Sequence, residues 1–93
     1  MSKKFYEFEK NKFIWNCPGC ECLHHIQTNK SEMPYWNFNG NLEQPTVSPS
    51  VRVRGGKDYV CHFFIRDGKI EFLNDSTHKL SGQTVDVPDW ENS

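Results

Sequence analysis

Apolar and polar residues alternate with a period of two along most of the chain, a pattern typical of half-buried β-strands. The clearest example is residues 59–65, which Arg66-Asp67-Gly68 separates from a second alternating run at residues 69–73. An Asp-Gly pair between two apolar runs predicts a β-hairpin with a two-residue loop. That loop fixes the pairing of the two strands: Ile65 with Ile70, Phe63 with Phe72, Cys61 with Asn74 at the end of the core face, and His62 with Leu73 on the opposite face.

A second hairpin is predicted at Asn39-Gly40, between residues 34–38 and residues 41–43. The segment that follows, residues 44–51, contains two prolines, which cannot donate a hydrogen bond to a strand ladder. We therefore expect an edge strand or an ordered loop there, and not a central strand.

The remaining alternation predicts a strand pair at residues 5–8 and 13–15, and further strands at residues 23–28 and 83–87. No window has the sustained 3.6-residue period of a helix. The sequence thus predicts a mostly β fold, a small single domain of antiparallel hairpins over residues 1–93.

The composition indicates that this domain needs a source of stability besides its apolar core. Of the 93 residues, 35% are hydrophobic, so the apolar core is thin for a domain that must offset the entropy of ordering its chain. Disulfides, a structural metal or oligomerisation supply the missing stability in such small proteins.

The charge of the chain limits which classes of partner and which cellular compartment we expect. A formal net charge of −1 and a pI near 6.4 lack the basic character of a nucleic-acid binder, and the basic run at residues 52–57 is predicted to be an ordinary solvated loop. The charged N-terminal residues 1–10 do not resemble a signal peptide, and no apolar run is long enough to span a membrane. We expect a cytoplasmic protein without membrane contact, in which cysteines stay reduced and serve as metal ligands or redox groups.

Three of the four cysteines and two of the four histidines lie within FIWNCPGCECLHHI, residues 13–26. A Cys-x-x-Cys pair around Pro-Gly makes a tight knuckle whose thiolates converge, and zinc binds four such ligands tetrahedrally. Cys17 and Cys20 supply two of the ligands. The other two are drawn from a wider set of candidates: Cys61, His62, His78, Cys22, His24 and His25.

The rival interpretations of the knuckle are weaker. A thioredoxin-like dithiol needs a helix after the motif, and no helical pattern follows Cys20. A disulfide between Cys17 and Cys20 would close too small a loop to stabilise the fold much. Alternation along a strand sends His24 and His25 to opposite faces, so one of the two faces away from the metal.

The chain as a whole resembles a family of small proteins of unknown function found largely in bacteriophage and prophage genomes, some of which carry the label "ammonia monooxygenase". The resemblance runs from about residue 17 to residue 90. It rests on the succession CPGC (17–20), WNFNG (36–40), PTVSPSV (45–51), CHFFIRDGKIEFL (61–73), STHKLSGQTV (76–85) and PDW (88–90). It implies a zinc-binding β domain and no established activity. The arrangement of the knuckle and the predicted hairpin by itself resembles a zinc ribbon, in which a knuckle and a hairpin tip bind one ion.

The resemblance also implies a ligand set. The family's Cys-x-x-Cys falls on Cys17 and Cys20, and the histidine that follows it falls best on His24. Its Cys-His pair falls on Cys61 and His62, and its Thr-His on Thr77 and His78. Where that family often has Asp-Cys-Thr-His, this chain has Ser76. Either a cysteine ligand at this position is dispensable or replaced by Cys22, or, as we prefer, the position is not a ligand position. On this basis the predicted zinc ligands are Cys17, Cys20, Cys61 and His78, with His62 as first reserve and His24 as second.

The functional expectation is a phage-type zinc-binding accessory protein, a non-catalytic module that binds a host protein or a small polar molecule. Aromatic, amide and hydroxyl groups of two nearby segments offer candidate contacts for such a ligand: Trp36, Asn39, Thr46, Ser48 and Asp75. A zinc-dependent hydrolase with an open metal position, with Asp75 or Glu71 as base and His62 as acid or base, is the alternative. A zinc-ribbon nucleic-acid binder is the second alternative, for which the sequence lacks a basic face.

Overall fold

The computed structural model describes residues 3–90, which form two antiparallel sheets and contain no α-helix. The predicted mostly β fold is therefore confirmed. The first sheet has the order β1-β2-β3 and the second the order β4-β5-β6-β7-β8. The strands are β1 Tyr6–Glu9, β2 Lys12–Cys17, β3 Cys22–Gln27, β4 Asn37–Phe38, β5 Val47–Gly55, β6 Tyr59–Arg66, β7 Lys69–Phe72 and β8 Thr84–Asp86.

The three-stranded sheet has one buried and one exposed face, as its alternating sequence predicts. Along β2, Phe13, Trp15 and Cys17 are buried while the residues between them are partly exposed. β2 pairs with β3 so that Trp15 lies opposite His24 and Cys17 opposite Cys22. The ladder therefore carries the cysteine knuckle at one end of the sheet.

The hairpin of β6 and β7 has the predicted register, with Phe63 opposite Phe72 and Ile65 opposite Ile70. β7 ends at Phe72, so the predicted pair of Cys61 with Asn74 is not formed in the ladder. The chain instead turns away there, although the amide of Leu73 still donates to the carbonyl oxygen of His62 at 2.8 Å.

The predicted hairpin at Asn39-Gly40 was wrong, because β4 pairs with Val47 and Ser48 and not with residues 41–43. The physical reason is the side chain of Asn39. Its amide oxygen accepts hydrogen bonds from the backbone amides of Asn41 and Thr46, both at 3.1 Å, and so closes a wider loop than a two-residue turn.

The segment with two prolines is also placed differently from the prediction, because Val47–Gly55 is a nine-residue strand with β4 on one side and β6 on the other. Pro49 is tolerated because the register of β5 against β6 shifts between Val47 and Val51, where no regular ladder bond is required. The basic residues Arg52 and Arg54 consequently lie in this strand and not in a loop.

The two sheets pack around one shared apolar core. Trp15 of β2 meets Phe63 of β6 edge to face, with ring centroids 6.1 Å apart, and Phe5 stacks on Trp15 at 4.6 Å. Both Trp15 and Phe63 are 0% exposed. Within residues 3–90 there is no helix of the length and hydropathy that crossing a membrane requires.

Candidate catalytic triad and metal centre

The cysteine knuckle forms where β2 ends and β3 begins. The amide of Glu21 donates to the carbonyl oxygen of Cys17 at 2.8 Å, and Glu21 takes a φ of 56°, which reverses the chain over Pro18 and Gly19. Strand alternation after the knuckle buries His24 and leaves His25 exposed, while Cys22 at the start of β3 is exposed. The turn and the strand together direct Cys17, Cys20 and His24 toward the same point.

A fourth group reaches that point from the other sheet. The ligand atoms of Cys17, Cys20, His24 and Cys61 all lie within 4.8 Å of one another. Cys17 Sγ is 3.8 Å from Cys61 Sγ, and Cys20 Sγ is 3.2 Å from His24 Nε2. Two sulfurs bound tetrahedrally to zinc at about 2.3 Å lie about 3.8 Å apart, so these donors fit the edges of a tetrahedron around one ion.

The three thiols shift one another's pKa values. A hydrogen bond from the Cys61 thiol lowers the pKa of Cys17 to about 4, and the same contact, followed by burial, raises the pKa of Cys61. Burial raises the pKa of Cys20 to about 11. Three crowded thiols, of which Cys17 and Cys61 are buried and Cys20 is partly buried, cannot all ionise by themselves, and a divalent cation would stabilise them as thiolates.

Two further side chains donate to the sulfurs from outside the cluster. The hydroxyl of Tyr59 donates to Cys20 Sγ at 2.8 Å, and its pKa is raised, chiefly by burial, so it keeps its proton. Nδ1 of His78 accepts the amide of Leu80 at 3.2 Å, which places the ring proton on Nε2, 3.3 Å from Cys61 Sγ. His78 therefore faces Cys61 as a hydrogen-bond donor.

The clustered group and the predicted ligand set share all three cysteines and differ in the histidine. His24, the second reserve, lies in the cluster, whereas His78 lies beside it and His62, the first reserve, lies elsewhere. The ring of His24 is held between Trp15 and Phe63, at centroid distances of 6.2 Å and 5.7 Å. No feature of the local sequence distinguished His24 from His78, because the choice depends on how the two sheets meet.

His62 instead belongs to a chain of hydrogen bonds on the opposite face of the second sheet. Its Nε2 lies 3.0 Å from Ser50 Oγ, and its Nδ1 lies 3.0 Å from Asp75 Oδ2 and 3.1 Å from Oδ1. The hydrogen bond from His62 lowers the pKa of Asp75, and the positive charge of Arg52 lowers it further. A hydroxyl, an imidazole and a carboxylate in this order have the geometry of a serine-protease triad.

The residues that follow β7 hold the triad together. The buried hydroxyl of Ser76 accepts the amide of His62 at 3.0 Å and donates to the carbonyl oxygen of His62 at 2.9 Å. The amide of Thr77 donates to the carbonyl oxygen of Val60 at 2.9 Å. These bonds continue the sheet where β7 has stopped, and they fix Asp75 beside His62.

The candidate ligand contacts do not form one pocket. Asn39 and Thr46 bond to each other within their loop, where the amide of Thr46 donates to the side-chain oxygen of Asn39 at 3.1 Å, and the hydroxyl of Thr46 accepts the amide of Asp67 in the β6–β7 turn at 2.9 Å. Trp36 donates from Nε1 to the carbonyl oxygen of Ser50 at 3.3 Å, and Ser48 is exposed. Of the five, Trp36 and Asp75 have hydrogen bonds to the triad residues.

A family model described as "Bacterial ubiquitination-like system serine protease (BubE)" matches residues 1–73. The chain belongs to the BubE family. The match includes Ser50 and His62 and ends two residues before Asp75. It gives no evidence for a phage origin or for a family defined by zinc. No curated protein and no solved structure matches the chain.

Membership of BubE overturns the expectation of a non-catalytic binding module, because the family is one of serine proteases. From the sequence, His62 was predicted to be a reserve zinc ligand or an acid–base group, and Asp75 a possible base or a contact for a small ligand. Ser50 was not among the predicted site residues, although Ser48, two residues before it, was. The stretch around Ser50 has none of the glycine-flanked motifs that mark a nucleophile on other folds, and the family match names no residue, so no signal in the sequence distinguished Ser50 from the other serines.

Proposed function

We propose that this protein is a serine protease in which Ser50 is the nucleophile, His62 the general base and Asp75 the residue that orients His62. The proposal rests on the two consecutive contacts of His62, 3.0 Å to Ser50 Oγ and 3.0 Å to Asp75 Oδ2. The order along the chain is serine, histidine, aspartate, and triads are recognised by geometry and not by chain order.

The chemistry follows from these contacts. Nε2 of His62 takes the hydroxyl proton as Ser50 Oγ attacks the carbonyl carbon of a peptide bond. The C–N bond then breaks, and His62 returns the proton to the leaving amine. Water, deprotonated by His62, attacks the acyl ester on Ser50; the acid product leaves and Ser50 regains its proton. Asp75 stays ionised throughout: its carboxylate accepts a hydrogen bond from the Nδ1–H group of His62 and stabilises the imidazolium that forms in each half-reaction.

The family description places these proteases in a bacterial ubiquitination-like system, and we extend this to the present chain. Its substrate would then be a peptide or isopeptide bond in a protein of that system. Such a substrate suits a triad on the outer face of a sheet, where a folded protein can present an extended segment.

We further propose that Cys17, Cys20, His24 and Cys61 bind one zinc ion with a structural role. Four protein donors complete a tetrahedron, and a closed Cys₃His set is typical of structural zinc. Zinc would convert the three thiols to thiolates and crosslink the two sheets. Tyr59 and His78 would donate hydrogen bonds to two of those thiolates, as outer groups do in other metal sites.

A fluorophosphonate probe tests the proposed activity, because it reacts with an activated serine and needs no knowledge of the substrate. We expect labelling of Ser50, identified by peptide mass spectrometry, and its loss in Ser50→Ala. Ser48→Ala is the matched control, since Ser48 lies two residues away on the same strand and makes no contact with His62; it should be labelled like the wild type. Equal labelling of Ser50→Ala and wild type would refute the assignment.

A further inference from the structure

One edge of β5 is open directly beside Ser50. β4 covers this edge only at Val47 and Ser48, and among residues 3–90 no strand pairs with it from Arg52 to Gly55. The other edge of β5 is paired with β6 as far as Gly55. A nine-residue strand with half of one edge unpaired is a ready template for another extended chain.

The hydrogen-bond pattern shows which backbone groups face the open edge. In β6, Val60 and His62 direct their amides and carbonyls toward Ser76 and Thr77, away from β5. Residues that alternate with them, Cys61 and Phe63, therefore bond to Val53 and Val51. It follows that the amide and carbonyl groups of Arg52 and Arg54 point out at the open edge.

Trp36 marks the point where the open edge begins. Its indole donates to the carbonyl oxygen of Ser50, which faces the same side as the free groups of Arg52 and Arg54. β4 runs antiparallel to β5 and leaves the sheet at this point toward the first sheet, where the amide of Trp36 donates to Gln27. A chain added beyond Trp36 would continue the line and direction of β4.

The exposed face of this edge is basic. Arg52 lies directly opposite His62, so its side chain is on the triad face, and Arg54 follows two residues later on the same face. Both side chains are exposed, and within residues 3–90 neither has a carboxylate within ion-pair distance, whereas Arg66 is paired with Glu71 at 3.8 Å. These two charges are available to a ligand.

We propose that the substrate binds as an added antiparallel strand on Arg52 and Arg54, and that the site prefers a carboxylate side chain in the third residue before the scissile bond. Substrate residues are counted backwards from the scissile bond, and the first is the residue whose carbonyl carbon Ser50 attacks. The third substrate residue then lies opposite Arg52 and the fifth opposite Arg54. Cross-strand neighbours share a face, which brings the third side chain to the guanidinium of Arg52. This inference rests on the proposed protease function and adds its mode of substrate recognition.

Peptidyl diphenyl phosphonates test this mode of substrate binding. Their phosphorus atom takes the place of the attacked carbonyl carbon, and their peptide part occupies the open edge of β5. The probes are five-residue alanine peptides with glutamate or lysine in the third position, and the readout is the rate of Ser50 labelling by mass spectrometry. We expect glutamate to react about 2- to 5-fold faster than lysine, the range typical of an exposed ion pair. Arg52→Glu should reverse this ratio, and Arg54→Glu, the matched control, should leave it unchanged, because Arg54 lies opposite the fifth position and not the third.

N-methylation of the probe tests the backbone pairing without altering the protein. A methyl group on the amide of the third residue blocks the bond to Arg52 and should slow labelling about 5-fold or more. The same methyl group on the fourth residue, whose amide points away from β5, should have little effect. Equal losses at both positions, or no five-residue reagent faster than the diphenyl phosphonate of alanine alone, would overturn the added strand. Failure of the small fluorophosphonate to label Ser50 would instead remove the protease proposal, and this inference with it.

Discussion

Cys61 and His62 are consecutive residues of β6 whose side chains lie on opposite faces of the second sheet. Cys61 is 0% exposed and faces the sulfur of Cys17 at 3.8 Å, while His62 reaches Ser50 on the outer face. Alternation along a strand produces this division. One strand therefore carries a residue of the metal cluster and the central residue of the triad next to each other.

The segment after β7 repeats the same division. Asp75 contacts His62 on the outer face, and His78 contacts Cys61 on the inner side, with Ser76 and Thr77 bonded to the backbone of β6 between them. Gly19 of the knuckle packs so closely on the imidazole of His78 that a Cβ there would overlap it. The positions of the knuckle, of residues 75–78 and of the triad therefore depend on one another.

Metal removal should therefore abolish labelling of Ser50, although the metal takes no part in the proposed chemistry. Structural zinc contributes on the order of 10 kcal/mol in small domains, so without it the knuckle and β6 lose their mutual position. The measurement is fluorophosphonate labelling before and after exhaustive chelation, with a thermal melt followed in parallel. Recovery of both on adding one equivalent of zinc is the control. An unchanged melt and undiminished labelling after chelation would show that the cluster does not support the fold.

Asp75→Asn should slow labelling of Ser50 while leaving the fold intact. The amide cannot stabilise the imidazolium and favours the wrong tautomer of His62, an effect that costs up to about 10,000-fold in other triads. The Asp75 side chain is 51% exposed, so we expect about 100-fold or more and little change in the melting temperature. Asp58→Asn, an exposed carboxylate in the β5–β6 turn, is the control for a change of charge alone. A rate within about 2-fold of wild type would exclude Asp75 from the triad.

The sequence predicted the strands and the cysteines because both depend on local patterns. The alternation of β6 and β7 around Asp67-Gly68 and the spacing of Cys17 and Cys20 can each be recognised within a few residues. Loop 39–46 was predicted incorrectly, because the side chain of Asn39 competes with the backbone for the turn and no rule based on the Asn-Gly pair includes that bond.

The triad could not be predicted because its three members come from three separate segments. Ser50 follows a proline in an irregular part of β5, His62 lies in the middle of β6, and Asp75 lies beyond the end of β7. The pairing of Arg52 with His62 is what brings Ser50 within hydrogen-bond distance of His62. That register depends on the extra residues around Pro49. The same reasoning explains why the sequence could not show which of His24 and His78 lies in the metal cluster.

His24→Ala should reduce metal binding much more than His78→Ala. His24 Nε2 belongs to the group of four donors, whereas the Nε2 proton of His78 points at Cys61. Loss of an outer donor typically weakens a metal site about 10- to 100-fold, and loss of a ligand should exceed that. Competition with a chromophoric zinc chelator gives the affinities. His25→Ala is the matched control, because His25 is the next residue of β3 and faces solvent. If His78→Ala lost the metal and His24→Ala kept it, the ligand set inferred from the resemblance would be the correct one.

Ser76→Ala should impair both stability and activity, because one hydroxyl satisfies both backbone groups of His62. Ser76 is only 6% exposed, so its removal leaves the amide of His62 without a partner, while the carbonyl oxygen of His62 keeps the hydrogen bond from the amide of Leu73. We expect a loss of about 1–3 kcal/mol in the free energy of unfolding, measured by urea denaturation. Labelling of Ser50 should also slow under conditions where the variant is still folded, since Asp75 is no longer held against His62.

Thr77→Val is the matched control for Ser76→Ala. Thr77 makes the equivalent hydroxyl contacts with Val60, but it is exposed, so water can replace them. Equal effects of the two substitutions on labelling would indicate that the segment acts through general stability and not through the position of Asp75.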